Sequence, residues 1–208
     1  MKRTPLKGSR LCVIVDRGFL KPKEILKVAR EAIRGGADVI QIRDKKSPVS
    51  EIVKAAMAVK RMAGPRGVPV IVNDRIEAAV AADADGLHIG QGDLDIKSAR
   101  RILGKGKVIG VSVGTFEEAR RAKSEGADYL GVGPIFKTPV KGEKKPKGLG
   151  LVEAVKRLDI PFFAIGGIDF KNARKLAKRG FRDIAVIRAV CRARNPAAAV
   201  KRLKEILR

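Results

Sequence analysis

Tryptophan is absent, tyrosine and histidine occur once each, and there are only two cysteines, Cys12 and Cys191. A chain this poor in aromatics offers few platforms for stacking nucleobases, and it carries no recognised nucleic-acid motif, so no specific nucleic-acid partner is expected. The cysteines lack CxxC spacing and a neighbouring His, which argues against a metal cluster or a redox pair. They read as small core-filling residues. The longest apolar runs, such as Leu11 to Val15 and Phe162 to Ile168, fall well short of the roughly 20 residues that cross a bilayer. No membrane partner is expected. The N-terminal MKRTPLKGSR does not lead into an apolar region and cleavage site of the secretory kind, so a cytoplasmic chain is the expectation. Acids are scarce as well. Against 46 Lys plus Arg stand 22 Asp plus Glu, a net charge of +24, which points to anionic partners.

What is present is enough apolar material for a core: 45% of 208 residues suits one globular domain spanning 1–208. Short β-branched runs alternate with longer segments whose apolar positions recur every three to four residues. Candidate strands are Leu11 to Val15, Val39 to Arg43, Val68 to Asn73, Gly86 to Ile89, Val108 to Ser112, Tyr129 to Gly133, Pro161 to Ile165 and Asp183 to Ile187. Helical patterns fall at about 23–35, 49–63, 75–82, 95–103, 116–125, 151–158, 170–179 and 196–207, the last opened by Asn195-Pro196. Strands apolar on both faces, each followed by a helix, predict a parallel eight-stranded (β/α)8 barrel. A doubly wound open sheet is the alternative, without a GxGxxG or GxxxxGK[ST] motif to favour it. An internal echo precedes every second strand: Gly36-Ala37-Asp38, Ala84-Asp85, Gly126-Ala127-Asp128 and Gly180-Phe181-Arg182-Asp183. It reads as a helix ending on Gly and an Asp at the barrel bottom, a structural repeat.

Chemistry in such a barrel gathers at the carboxyl ends of the strands. Strand two ends Gln41-Ile42-Arg43-Asp44-Lys45, and the period of two sends Gln41, Arg43 and Lys45 to one side. They bind an anion there, or form a solvated rim. Strand three ends on Asn73-Asp74, and the loop after strand four holds Asp93. Two carboxylates at one rim suit Mg2+, which takes one or two carboxylates together with substrate phosphate oxygens; salt bridges to Arg43 or Arg75 are the other reading. His88 reads as a packed residue in preference to a general base, with its direction left open by the strand period. The segment from Gly131 through Thr138 and Lys141 to Gly148 is rich in Lys, Gly and Pro, fitting a lid over a phosphate or a solvated linker. The glycines of Ile165-Gly166-Gly167-Ile168, and Val186-Ile187-Arg188 after strand eight, either bring backbone N–H groups to an anion or form tight turns.

Taken in order, these strand ends resemble the thiamine-phosphate synthase family over almost the whole chain. The family's Q-[LIM]-R-x-K segment stands at Gln41 to Lys45, its N-D pair at Asn73-Asp74, and its D-G-[VL]-H-[LI]-G-Q-x-D stretch at Asp85 to Asp93. Its G-x-S is Gly110-Val111-Ser112, its D-Y-[IL]-G-x-G-P-[IV]-F-x-T segment is Asp128 to Thr138 with Lys141 following, and its A-I-G-G-I turn is Ala164 to Ile168. The resemblance implies a transferase that joins a pyrimidine diphosphate to a thiazole phosphate with release of pyrophosphate. It implies that Gln41, Arg43, Lys45, Asn73, Ser112 and Lys141 hold the diphosphate, with Ile42 and Asp44 in the same segment, and that Asp74 and Asp93 bind Mg2+. Arg43, Lys45, Lys141 and Ser112 would stabilise the departing charge. Thr138 and Gly167, with the backbone of Ile187 and Arg188, would meet the thiazole phosphate. Three positions depart from the family pattern: Gly114 where His is frequent, Val140 where a second Thr is usual, and Arg188 where Ser is usual.

Two competing functions can be set beside this one. A thiazole tautomerase on a similar barrel needs a placed acid or base, and Gly114 stands where a His would help. A nonspecific nucleic-acid-binding basic protein would use the +24 charge, with an affinity that collapses as salt rises. A homo-oligomer is compatible with either.

Overall fold

The structure, a computed structural model, describes residues 6, 8–138 and 145–208. Eight parallel strands close on one another in chain order: β1 (Leu11–Asp16), β2 (Val39–Arg43), β3 (Val70–Asn73), β4 (Gly86–Ile89), β5 (Val108–Val113), β6 (Tyr129–Val132), β7 (Phe162–Ile165) and β8 (Ile184–Val186), with β8 pairing back to β1. Around them lie α1 (Pro22–Arg34), α2 (Val49–Ala63), α3 (Ile76–Ala81), α4 (Ile96–Leu103), α5 (Phe116–Ser124), α6 (Gly148–Lys156), α7 (Phe170–Lys178), α8 (Arg188–Cys191) and α9 (Pro196–Ile206). The expected (β/α)8 barrel is the fold, and the open sheet is excluded by the β1–β8 pairing. Two short elements escape the periodicity argument. The 3₁₀ turn Gly64–Arg66 and the four-residue α8 are shorter than the window in which an apolar repeat can be seen. Helix α6 begins at Gly148, ahead of the expected start, because Gly148 and Gly150 hide the pattern there.

Alternation along the strands divides the core in two. Val13, Val15, Ile40, Ile42, Val70 and Val72 face outward into the layer beneath the helices, while Cys12, Ile14, Val39, Ile71, Val108, Tyr129, Phe163 and Ala185 fill the barrel. Both cysteine thiols are buried, and burial pushes Cys12 up to about 12 and Cys191 up to about 11, so neither is a thiolate at neutral pH.

The repeated Asp proves structural. Asp38 accepts from Leu11 N–H at 2.8 Å, Asp85 from Val70 N–H at 2.8 Å and Asp128 from Ile109 N–H at 2.7 Å. Each of these three Asp therefore satisfies a donor at the bottom of the preceding strand. The helix before it ends in a Schellman turn: Ala37 N–H bonds Ala32 O, Ala84 bonds Ala79, Ala127 bonds Ala122 and Phe181 bonds Leu176. Such a turn needs a left-handed residue. Gly36, Gly126 and Gly180 supply it at φ 94°, 97° and 78°, and in the second copy Asp83 takes the glycine's place at φ 47°. The fourth Asp differs: Asp183 is pushed up by burial, opposed by Arg10 and assisted by Asp38.

Candidate active site

At the carboxyl ends of the strands lies a cavity of about 310 Å³, walled below by Ile14, Ile165 and Ala185 and around its rim by polar residues. Gln41, Arg43 and Lys45 come to it from β2, Asn73 and Asp74 from β3, Ser112 from β5, Thr138 from the loop after β6, Gly167 from the loop after β7, and Ile187 with Arg188 at the start of α8. Asp93 joins them from the loop after β4, as does His88 from that strand. Nearly all the residues singled out in the sequence thus meet in one concavity. Three do not. Ile42 is 2% exposed and packs in the outer layer, since the residue between two inward ones must point out. Asp44 is absent from the cavity wall, because its Oδ1 is used to accept Lys46 N–H at 2.9 Å and Ser47 N–H at 3.0 Å in the turn leading to α2. Burial pushes that carboxyl up, but the Ser47 and Lys46 bonds and the charge of Arg17 outweigh it and leave it below the usual range. Lys141, and Val140 with it, lies outside the described residues.

Strand β1 runs one residue past the expected Leu11 to Val15 and ends on a site residue the strand pattern does not single out, Asp16. It is 2% exposed, and its Oδ2 accepts from Arg43 Nη1 at 2.6 Å while Oδ1 takes Gly18 N–H at 2.8 Å. Arg43 is therefore held by a buried carboxylate across β1 and β2. An acid at the mouth end of a fully apolar strand was the available signal. Lys45, 58% exposed, pairs with Asp74 at 3.0 Å, an interaction worth little in water. Arg75 pairs with Glu77, so neither salt bridge envisaged for the two acids, to Arg43 or to Arg75, is the one that forms.

His88 points into the barrel. It is buried, its Nδ1 lies 2.9 Å from Tyr129 Oη and its Nε2 lies 2.9 Å from Ser112 Oγ. Packed and cavity-facing are thus both true of it. Room for these rings comes from glycine: a Cβ on Gly110 would sit 2.1 Å from Tyr129 Cζ, and one on Gly131 would sit 3.0 Å from His88 Cε1. The Ser112 carbonyl accepts from Gln91 Nε2 at 2.7 Å, and Gln91 is itself held by Arg121 at 2.6 Å.

Opposite, the Gly166-Gly167 turn is laid against the loop after β6. Phe136 N–H bonds Gly166 O at 3.0 Å, and Asn172 Nδ2 bonds Gly167 O at 2.7 Å. Both glycines have positive φ, 101° and 65°, and a Cβ on either would come within 2.5 Å of backbone in that loop. Only glycine fits, so close packing is a full account of their presence even before any ligand is considered.

The donor set at the rim suits a hard cation. Asp74 is fixed at φ 61° with its N–H on His88 O, and Asp93 Oδ2 accepts Gly90 N–H at 2.6 Å. Among the described residues no cluster of three or more metal-ligating side chains occurs. Two carboxylates alone leave coordination positions for water and substrate oxygens, as Mg2+ prefers.

A family model described as thiamine monophosphate synthase matches residues 11–190. A thiamine-phosphate synthase of Methanocella arvoryzae is 45% identical over 199 residues, 95% of this chain and 94% of that one. Another, of Moorella thermoacetica, is 45% identical over 199 residues, 95% of each chain. Among solved structures, the thiamine phosphate pyrophosphorylase from Pyrococcus furiosus superposes with a TM-score of 0.87 at 38% identity, covering 95% of both chains.

Proposed function

The chain belongs to the thiamine monophosphate synthase family, a family of transferases, and from that premise we propose that its cavity couples 4-amino-2-methyl-5-hydroxymethylpyrimidine diphosphate to 4-methyl-5-(2-hydroxyethyl)thiazole phosphate. The bond between the pyrimidinylmethyl carbon and the diphosphate oxygen breaks, and its electron pair leaves with pyrophosphate. The thiazole nitrogen lone pair forms the new C–N bond. No protein nucleophile is needed, because the electron-rich aminopyrimidine stabilises the cationic carbon.

The observation that carries this reading is one cavity lined both by Arg43, Lys45, Asp74, Asp93 and Ser112, from the arc β2 to β5, and by Thr138, Gly167, Ile187 and Arg188, from the arc after β6 to β8. That is two anion-suited regions about one apolar floor. Arg43, prepositioned by Asp16, and Lys45 would oppose the charge that develops on the leaving diphosphate, and Lys141 would add to them. Gln41 and Asn73 supply amide groups and Ser112 a hydroxyl. Asp74 and Asp93 would hold Mg2+, which when bound neutralises negative charge on the leaving group. Thr138, the Gly167 turn and the backbone at Ile187 and Arg188 would hold the second phosphate, and Arg188 places a cation where the family commonly has Ser. Holding both partners together supplies the proximity contribution.

The test is an incubation with both precursors, with and without Mg2+, scored for coupled product and for pyrophosphate. The reading requires both products, and requires Mg2+ for their formation. Thiazole isomerisation without pyrophosphate would identify a tautomerase instead.

A further inference from the structure

The net charge of +24 is unevenly placed. Residues 171–208 hold 13 Lys or Arg against two acids, Asp183 and Glu205, and so carry 11 of that excess in less than a fifth of the chain. The cavity does not gather it. Among the described residues that line the cavity, Arg43, Lys45 and Arg188 are matched by Asp74, Asp93 and Asp169. A field that steers anions to the mouth would concentrate charge there, and the concentration lies elsewhere, on the outer helices.

Two of those helices collect it. Helix α7 buries Ala173 and Leu176, and α9 buries Ala199, Val200 and Leu203. The helical period then leaves Arg174 and Lys178, one turn apart on α7, and Lys201 and Arg202 on α9, exposed. These four line one open groove of about 680 Å³, in which Glu205 is the one acid among the described lining residues. Among the described residues, the ion pairs made by 171–208 are Arg179 with Glu153 at 3.5 Å and Lys204 with Asp38 at 2.6 Å, and neither takes a groove cation. Arg202 is steadied by its guanidinium, 4.5 Å over the Phe170 ring.

We propose that this groove binds the phosphate backbone of duplex DNA, without regard to sequence, through Arg174, Lys178, Lys201 and Arg202. Clustered cations repel one another, and a polyanion relieves that repulsion while releasing its own counterions. A duplex carries one charge per about 1.7 Å of its axis and so offers several phosphates to the four cations at once. Other occupants fit less well. A second copy would bring an equally basic face against this one. A bilayer surface is gripped by apolar side chains as well as by charge, and none of the large exposed apolar residues lies on α7 or α9. Single strands are held largely by stacking, and the rings here are taken: Phe170 lies under Arg202, and Phe181 is 6% exposed. The described lining also has no amide or hydroxyl side chain to meet a ribose 2′-hydroxyl, the group by which a protein prefers RNA. The site is separate from the coupling reaction, since no groove residue lines the cavity.

The test is fluorescence-anisotropy titration of the full chain with a labelled mixed-sequence DNA duplex, at salt from about 50 to 200 mM. Four phosphate contacts predict a log–log salt slope of about −3.6, a loss of affinity of roughly a hundredfold over that range. Arg174→Gln, Lys178→Gln, Lys201→Gln and Arg202→Gln combined should weaken binding at least about tenfold at the lowest salt and make the slope shallower by about 3. The comparison variant changes Lys97, Arg101, Lys105 and Arg120 to Gln. These are equally exposed, on and beside α4 and α5, across the closed barrel from α9. It removes the same charge and should move the slope by less than about 1. If the combined groove variant does not fold, Arg174→Gln and Lys201→Gln singly must each make the slope shallower by about 1. Equal losses in the groove and comparison variants would overturn the proposal. So would a wild type that binds the matching single strand or phosphatidylserine vesicles more tightly than the duplex, or that leaves the duplex unbound at the lowest salt. Failure of the coupling reaction shows separately, because no precursor enters this assay.

Discussion

Replacing Asp16 by Asn tests whether the cationic wall of the cavity is built or merely solvated. Asp16 is 2% exposed, and the Arg43 side chain it holds at 2.6 Å is 18% exposed. Removing one partner of a fully buried pair costs about 3 to 5 kcal/mol, mostly because the other charge is left desolvated. Water in the cavity reaches Arg43, and Asn can still accept the Gly18 N–H, so about 2 to 3 kcal/mol is expected here. For a chain of this length that is a fall in Tm of about 5 to 10 °C, read by thermal and urea unfolding of the ligand-free protein. Two further results follow from the same physics. Pyrophosphate should stabilise Asp16→Asn more than the wild type, because it gives the orphaned guanidinium a partner. Adding Arg43→Met should recover most of the lost stability, because no charge is then left buried alone. An Asp16→Asn protein as stable as the wild type, with an equal response to pyrophosphate, would refute the reasoning.

Other perturbations follow from the same geometry. Gly110→Ala drives a methyl to 2.1 Å from Tyr129 Cζ, and the ring is hemmed in by His88 and Phe163, so a loss of about 1 to 3 kcal/mol or more is expected in denaturant unfolding. Gly114→Ala is its control: the nearest atoms stand at 3.5 and 3.6 Å, and the change should stay within about 0.5 kcal/mol. Asp83 is held down to about 2 by hydrogen bonds from Lys107 and Lys60. A carboxyl depressed on folding contributes stability above its unfolded value near 3.8 that is lost as pH falls toward 2. Asp83→Asn, which tolerates the left-handed backbone, should therefore flatten the stability curve between about pH 4 and pH 2; an unchanged slope there would contradict the assignment.

The eight strands were legible because strands covered on both sides are short β-branched runs, and helices keep a longer repeat; the two patterns do not overlap in this chain. The inward set at Gln41, Arg43 and Lys45 followed from the period of two alone, and that same period places Ile42 outside. What could not be read was pairing across strands. Nothing local to Asp16 names Arg43 as its partner, and nothing local to Tyr129 names His88, since the first pair is made by the register of β1 on β2 and the second by the reach from β4 to β6, between residues 27 and 41 positions apart. Glycines at Gly110 and Gly131 are equally mute in the sequence, where they look like weak points in strands; their reason is a ring from another strand, Tyr129 of the adjacent β6 for Gly110 and His88 of β4, two strands away, for Gly131. The Asp repeat was legible as structure because helix-stop glycine and strand-start Asp recur together, although the second copy, with Asp83 in the glycine's place, departs from the pattern.

In the proposed function a carboxylate pair and a set of cations jointly hold a departing diphosphate, and calorimetric titration of pyrophosphate with and without Mg2+ measures that directly. Binding to the wild type should tighten at least tenfold when Mg2+ is present, and Asp93→Ala should lose that gain while keeping the weaker metal-free affinity supplied by Arg43 and Lys45. Equal affinity with and without Mg2+, or an Asp93→Ala protein that responds to the metal as the wild type does, would contradict it.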